Sequence, residues 1–136
     1  MNSLNKRSTS EKSLRDFYKR VLNFTLKSSA LVGDFKEIHS ANTTITGGYL
    51  PEVYSFVRWS DNQKLIVVAN FSSSKKSQFE LIIPKDIVQK WHLKNGKYRI
   101  VDQLYQKSQL TLKVINGEGK VIIDLKPSES FVYQLK

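Results

Sequence analysis

The sequence predicts a mainly β fold: an antiparallel β-sandwich or Greek-key domain of about eight strands, preceded by one N-terminal amphipathic α-helix. Three observations carry that expectation. Apolar residues recur at helical spacing in one early stretch only. After Gly33 the apolar period drops to two, and turn-forming clusters then punctuate the chain at short intervals. The chain divides accordingly into residues 1–32, a tail and helix, and residues 33–136, an all-β domain.

Residues 11 to 28 hold the helical pattern. Leu14, Phe17, Tyr18, Val21, Leu22 and Thr25 follow the i, i+3, i+4, i+7, i+8, i+11 spacing of one face, while Lys12, Arg15, Asp16, Lys19 and Asn23 occupy the other. Ser8 followed by Glu11 fits a capping box, which starts the helix near Thr9. Ser28 and Ser29 weaken its end, and Gly33 closes the segment. The expected strands are Asp34–His39, Val53–Trp59, Lys64–Phe71, Gln78–Ile83, Lys97–Asp102, Gln109–Val114, Gly119–Leu125 and Phe131–Leu135. Ser60-Asp61-Asn62, Ser72-Ser73-Ser74, Asn95-Gly96, Asn116-Gly117 and Pro127-Ser128 supply turns between them, and the Asn-Gly at 116–117 suits a tight or bulged hairpin. Between Pro84 and His92, KDIVQKW reads as one helical turn. Residues 40–52, SANTTITGGYLPE, form the longest loop and match no element.

Composition bounds the function. A chain of 136 residues is the size of one domain and can bury a core. With 40% apolar and 25% charged residues it is globular in character. No run of eighteen apolar residues occurs, so no membrane-spanning helix is expected. The N-terminal MNSLNKRSTSEKS lacks the apolar core of a secretory signal. With no cysteine, disulfides and thiolate metal sites are excluded. Sequons stand at Asn23, Asn42 and Asn70.

The net charge of +10 makes nucleic acid or an anionic surface the default partner for so small a domain. Its distribution argues against that. Seven basic residues (Lys6, Arg7, Lys12, Arg15, Lys19, Arg20, Lys27) lie in the first 27 positions, and the other lysines scatter through turns and strand edges. Catalytic patterns are missing too. His39 and His92 lie far apart without carboxylates at ligand spacing, so neither a metal nor any other cofactor is expected. No G-x-S-x-G or phosphate-cradling loop occurs, and Gly47-Gly48 is an isolated turn pair. Asp102 and Asp124, the least turn-like carboxylates, are explained by a salt bridge or a turn hydrogen bond.

Taken in order, several segments resemble the end of a glycoside hydrolase family 13 enzyme, the α-amylase family. LRDFYKRVL (Leu14 to Leu22), Ser29-Ala30-Leu31 and Gly33-Asp34-Phe35 resemble the eighth barrel helix and its exit. VYSFVR (Val53 to Arg58) and LIVVANFS (Leu65 to Ser72) resemble that family's first two C-domain strands. IIDLKP (Ile122 to Pro127) and SFVYQL (Ser130 to Leu135) resemble its final hairpin. The run Leu22-Asn23-Phe24-Thr25-Leu26-Lys27 departs from the Leu-Arg-Lys continuation frequent there, and the 40–52 loop has no counterpart.

The resemblance implies a non-catalytic C-terminal domain that packs against its own catalytic barrel. A barrel needs about 200 residues or more, and in this family the catalytic carboxylates sit on its strands. No catalytic residue therefore carries over, and the chain alone is expected to be no enzyme. The stripe Leu14, Phe17, Tyr18, Val21 and Leu22 would face the barrel or, in its absence, pair with a second copy as a homodimer. Some relatives also bind starch on exposed aromatics, for which Tyr49, Tyr54, Trp59, Trp91 and Tyr105 are the candidates. Tyr54 and Trp59 fall in a strand and Trp91 follows an amphipathic turn, positions where aromatics more often pack. Two other classes stay open. An independent carbohydrate-binding module requires co-planar exposed aromatics, and a basic nucleic-acid-binding β-domain requires lysines interleaved with aromatics on one face.

Overall fold

A computed structural model describes Ala30 and residues 33–105 and 108–136. The helix expected over 11–28, with its apolar stripe, lies outside the described residues. Eight antiparallel strands are present: β1 (Asp34–Glu37), β2 (Val53–Trp59), β3 (Lys64–Asn70), β4 (Ser77–Ile83), β5 (Gly96–Asp102), β6 (Gln109–Ile115), β7 (Glu118–Leu125) and β8 (Ser130–Leu135). Two short helices interrupt them, α1 (His39–Thr43) and α2 (Lys85–Lys90). The strands form one continuous sheet in the order β1-β2-β3-β8-β5-β6-β7-β4. Within it β8-β5-β6-β7 is a Greek key, the fourth strand lying beside the first.

The sheet curls instead of splitting into two stacked layers. Val53 and Val57 on β2 share one core with Leu81 and Ile83 on β4, although the two strands stand near opposite ends of the order. Alternation drives this. On β4 Phe79, Leu81 and Ile83 point inward between exposed Gln78 and Glu80, and on β7 Val121, Ile123 and Leu125 alternate with Ile122 and Asp124. The α2 turn closes one end of the core. Pro84 stands at its N-cap, and Ile87, Val88 and Trp91 turn inward. Asn116 and Gly117 both adopt positive φ (52° and 78°), which makes the β6–β7 connection the two-residue type I′ hairpin that Asn-Gly favours.

The 40–52 segment is not a passive loop. Strand β1 ends at Glu37, two residues sooner than its sequence pattern implied, and α1 follows. The Glu37 carboxylate accepts the Ser40 N–H at 2.8 Å, and that bond holds its pKa below the usual carboxylate value. Asn42 is fully buried. Its Nδ2 donates to Ile38 O (2.8 Å) and Ile82 O (3.0 Å), while its Oδ1 accepts from Ile82 N (2.8 Å) and Thr46 Oγ1 (2.8 Å). One side chain thus bonds both backbone groups that Ile82 presents at the free edge of β4. Further on, Ser77 Oγ donates to Gly48 O, and a Cβ on Gly48 would stand 1.9 Å from Gln78 O. Only glycine allows that approach, at φ +84°. The connection between β1 and β2 therefore seals the edge of β4, a protection that bare edges need.

Asn70 plays a related part at the β3 end, donating to Lys75 O (2.8 Å) and Lys126 O (3.2 Å) and accepting from Ser72 N (3.0 Å). Two of the three sequon asparagines are thus buried with their amides engaged.

Candidate functional site

The outward side of the sheet is split. On β3 and β8 the outward positions Leu65, Val67, Ala69 and Val132 form a second apolar cluster with Ala30, bordered by Phe56 of β2, Phe71 and Leu104. Leu65 is 0% and Val132 1% exposed, although both point away from the main core. Strand β3 is consequently buried on both faces, which matches its unbroken run LIVVA. Ala30 is anchored there, its N–H donating to Gln63 Oε1 at 3.0 Å while Gln63 Nε2 donates to Gln134 Oε1 at 3.1 Å. Gly33 passes so close to Trp59 O that a Cβ would meet it at 2.1 Å. Beside the cluster runs an aromatic row, with ring centroids 5.4 Å apart for Phe35–Phe56, 5.9 Å for Phe56–Tyr54 and 5.3 Å for Tyr54–His39.

On β6 and β7 the outward side meets water, with Ile115 and Ile122 51% and 70% exposed. Lys97, Lys113 and Lys120 stand directly opposite one another across β5, β6 and β7. Their neighbours around a shallow hollow of about 350 Å³ are Glu80, Leu110, Thr111 and Ile122. Among the described residues no aromatic lines it.

Of the five aromatics offered as sugar platforms, Tyr54 stands in the row between His39 and Phe56, and the other four separate into two kinds. Tyr49 is buried; its hydroxyl lies 2.8 Å from Ser55 Oγ and 3.0 Å from His39 Nδ1, and its ring meets Phe79 edge-on at 4.9 Å. Burial pushes that phenol up to about 12. Trp91 is also buried and packs edge-on against Trp59 at 6.2 Å. Neither ring offers a face to a ligand in this structure. Trp59 lines an open hollow of about 480 Å³ with Asp34, Phe35, Lys90 and His92, and the Lys90 ammonium stands 5.8 Å above the indole. Tyr105 is exposed and meets Phe131 edge-on at 6.3 Å, in a separate hollow of about 510 Å³ that also takes in Ser108, Lys126 and Glu129. The fold therefore does not assemble the four into one platform.

The described carboxylates that are engaged have structural partners. Asp102 is fully buried and accepts backbone N–H groups of Leu104 (3.2 Å), Tyr105 (2.9 Å) and Val132 (3.1 Å), which is the turn role expected for it. Asp124 accepts from Gln78 Nε2 at 3.1 Å. Asp86 pairs with Lys36 at 2.6 Å, and the ammonium holds its carboxyl below the usual range. Among the described residues no three His, Asp or Glu side chains come together as a metal site, and no helix is long and apolar enough to cross a membrane.

Comparison with known proteins agrees with this geometry. No curated protein sequence matches the chain. Among solved structures, an Anoxybacillus α-amylase matches with a TM-score of 0.53 at 17% identity, over 88% of this chain and 22% of the enzyme. The structure of AmyP in complex with maltose matches with a TM-score of 0.50 at 18% identity, over 90% of this chain and 20% of that one. The chain thus spans about a fifth of the length of either enzyme. The family model of the α-amylase C-terminal all-β domain matches residues 50–136, from just before β2 to the last residue. Eight antiparallel strands in one curled sheet, a β3 buried on both sides, and a match over well over half of the sequence place this chain in the family of α-amylase C-terminal all-β domains.

Proposed function

We propose that this chain serves as the non-catalytic C-terminal domain of an α-amylase-like glycosidase acting on α-glucans, and stabilises the catalytic barrel by packing against it. The observation that carries the reading is the apolar outward face of β2, β3 and β8. Leu65, Val67, Ala69 and Val132 form an interior layer on that side, so β3 lies between two apolar layers, as a strand in a domain joined to further structure does. The engaged carboxylates fit the same reading, since Asp86, Asp102 and Asp124 hold the fold together and are not poised for chemistry. The test is direct. The purified chain is expected to release no sugar from starch or from a chromogenic maltoside, and the native polypeptide in its source cells to be several times longer than 136 residues. Turnover that follows the protein through purification, or a native product of this length, overturns the reading.

A second reading, α-glucan binding by the domain itself, is favoured at Trp59 and Tyr105, where an accessible ring borders polar groups in an open hollow. Retardation on amylose gels, lost in Trp59→Ala or Tyr105→Ala, would support it; equal mobility with and without amylose removes it. The nucleic-acid reading gains nothing from the lysine row, whose neighbours are aliphatic and acidic, not stacking rings. Any DNA binding is expected to be weak and to vanish between low and physiological salt.

A further inference from the structure

We infer that the lysine row on the outward side of β5, β6 and β7 docks an extended acidic segment of a separate partner protein, one in which carboxylates alternate with aliphatic residues. The surface lies on the half of the sheet that faces water, and the inference stands independently of the domain's place in an enzyme.

Register sets the row. Lys97 stands opposite Lys113, and Lys113 opposite Lys120, so three ammonium groups line up across neighbouring strands. Strand spacing puts about 10 Å between the first strand and the last. Like charges directly across strands repel, and no acid relieves them here. Among the described residues the one ion pair is Lys36–Asp86, so none of the three lysines is matched by a carboxylate. Glu80 borders the same hollow without closing onto any of them, and Glu118, two residues before Lys120 on β7, forms no pair with it either. Exposed Arg99, two residues on from Lys97 and on the same side of β5, adds a fourth positive charge. Unmatched positive charge gathered in a hollow draws anions from solution.

The lining of the hollow selects the kind of anion. Its residues come from four adjacent strands, β5, β6, β7 and β4, so it crosses the sheet over about 14 Å. One flank is the lysine row. By register the other is the row two residues away, with Thr111 beside Arg99 and Ile122 beside Glu80. Ile122 is 70% exposed, an apolar side chain with nothing to cover it. Single-stranded nucleic acid binds through stacking rings, and none is among the lining residues. A uniform polyanion satisfies the lysines but leaves Ile122 in water and runs against Glu80. A plane of anionic head groups meets the same two acids, Glu80 and Glu118, at once. An extended peptide laid along the trough sends alternate side chains to its two flanks. Carboxylates then reach the lysines while aliphatic groups cover Ile122, and Glu80 bars a further acid at the β4 end.

The experiment is calorimetric titration of the full chain with a synthetic peptide in which Glu alternates with Val, at low salt and at about 150 mM. One-to-one binding is expected, weakened severalfold by the added salt. Lys113→Glu is expected to lower affinity about tenfold, while its urea midpoint stays at or above that of the unaltered chain because the row is relieved. Lys97→Gln, which removes a charge without adding an acid, gives a smaller loss in the same direction. Ile122→Ser lowers affinity severalfold and leaves the salt dependence unchanged. No binding at millimolar peptide overturns the inference. So does an affinity unchanged in Lys113→Glu, which assigns the attraction to other basic residues of a chain of net charge +10. Polyglutamate bound as tightly as the alternating peptide overturns it in favour of a uniform polyanion. Tighter binding to phosphatidylglycerol vesicles or to single-stranded DNA overturns it in favour of a lipid surface or nucleic acid.

Discussion

The two halves of this sheet share one pleat, one twist and one inner core, and differ in what lies on their outward side. Strands β3 and β8 turn Leu65, Val67 and Val132 into a buried layer, while β6 and β7 turn Ile115, Lys113, Lys120 and Ile122 into water. The inner core cannot tell the halves apart, since each contributes alternate aliphatic residues to it. The outward residues can. They mark where the sheet is covered on its outward side and where it faces water.

The sharpest way to break that contrast is to place the same charge on both sides. Val132→Asp puts a carboxylate into a dry apolar cluster and is expected to cost about 3–5 kcal/mol or abolish folding. Ile122→Asp should stay within about 1 kcal/mol, the range of strand propensity on a wet surface. Urea denaturation of the pair reads the difference, and similar losses for both would mean the halves are not distinct. Next in size is the seam that joins them. Asn42→Ala leaves Ile82 N and O without their partner at the β4 edge and is expected to cost about 2–4 kcal/mol. A midpoint shift small enough to match a surface substitution would show that the edge is sealed by something else.

Alkaline pH probes the shared interior. Burial pushes the hydroxyls of Tyr49 and Tyr133 up to about 12 from an ordinary value of 10.0. In the unfolded chain they ionise near the ordinary value, so their contribution is complete below pH 10.0 and is lost as pH rises through about 12. Alkaline unfolding should therefore be flatter in Tyr49→Phe and Tyr133→Phe, and an unchanged profile would remove these phenols from the account. The smallest effect has the opposite sign. Lys113 stands between Lys97 and Lys120, and like charges directly across strands repel. Lys113→Glu is expected to stabilise by about 0.5–1 kcal/mol at low salt, a gain that added salt should erase.

Much of this was legible in the sequence, and the reasons are local. Period-two alternation located eight strands to within a residue or two, and Asn116-Gly117 announced its hairpin. What stayed hidden depends on tertiary placement. HSANT has no apolar period, and the value of Asn42 lies in a bond to Ile82, forty positions away. Strand order is not written in any one strand, so a sandwich and a single curled sheet read alike. Aromatic residues gave the least. Tyr49 and Trp91 have the composition of a sugar platform and the burial of core residues, and only the fold distinguishes the two.

The engaged amides of Asn42 and Asn70 have a consequence for how the protein can be made. Both belong to sequons, and a transferase in a secretory compartment acts on chain that has not yet closed. A glycan attached to Asn42 would use the nitrogen that donates to Ile38 O and Ile82 O, and one on Asn70 the nitrogen that donates to Lys75 O and Lys126 O. Yield from a glycosylating host would then be decided by a race between strand closure and sugar transfer, and a molecule that loses the race carries a mark at the place where it failed to close.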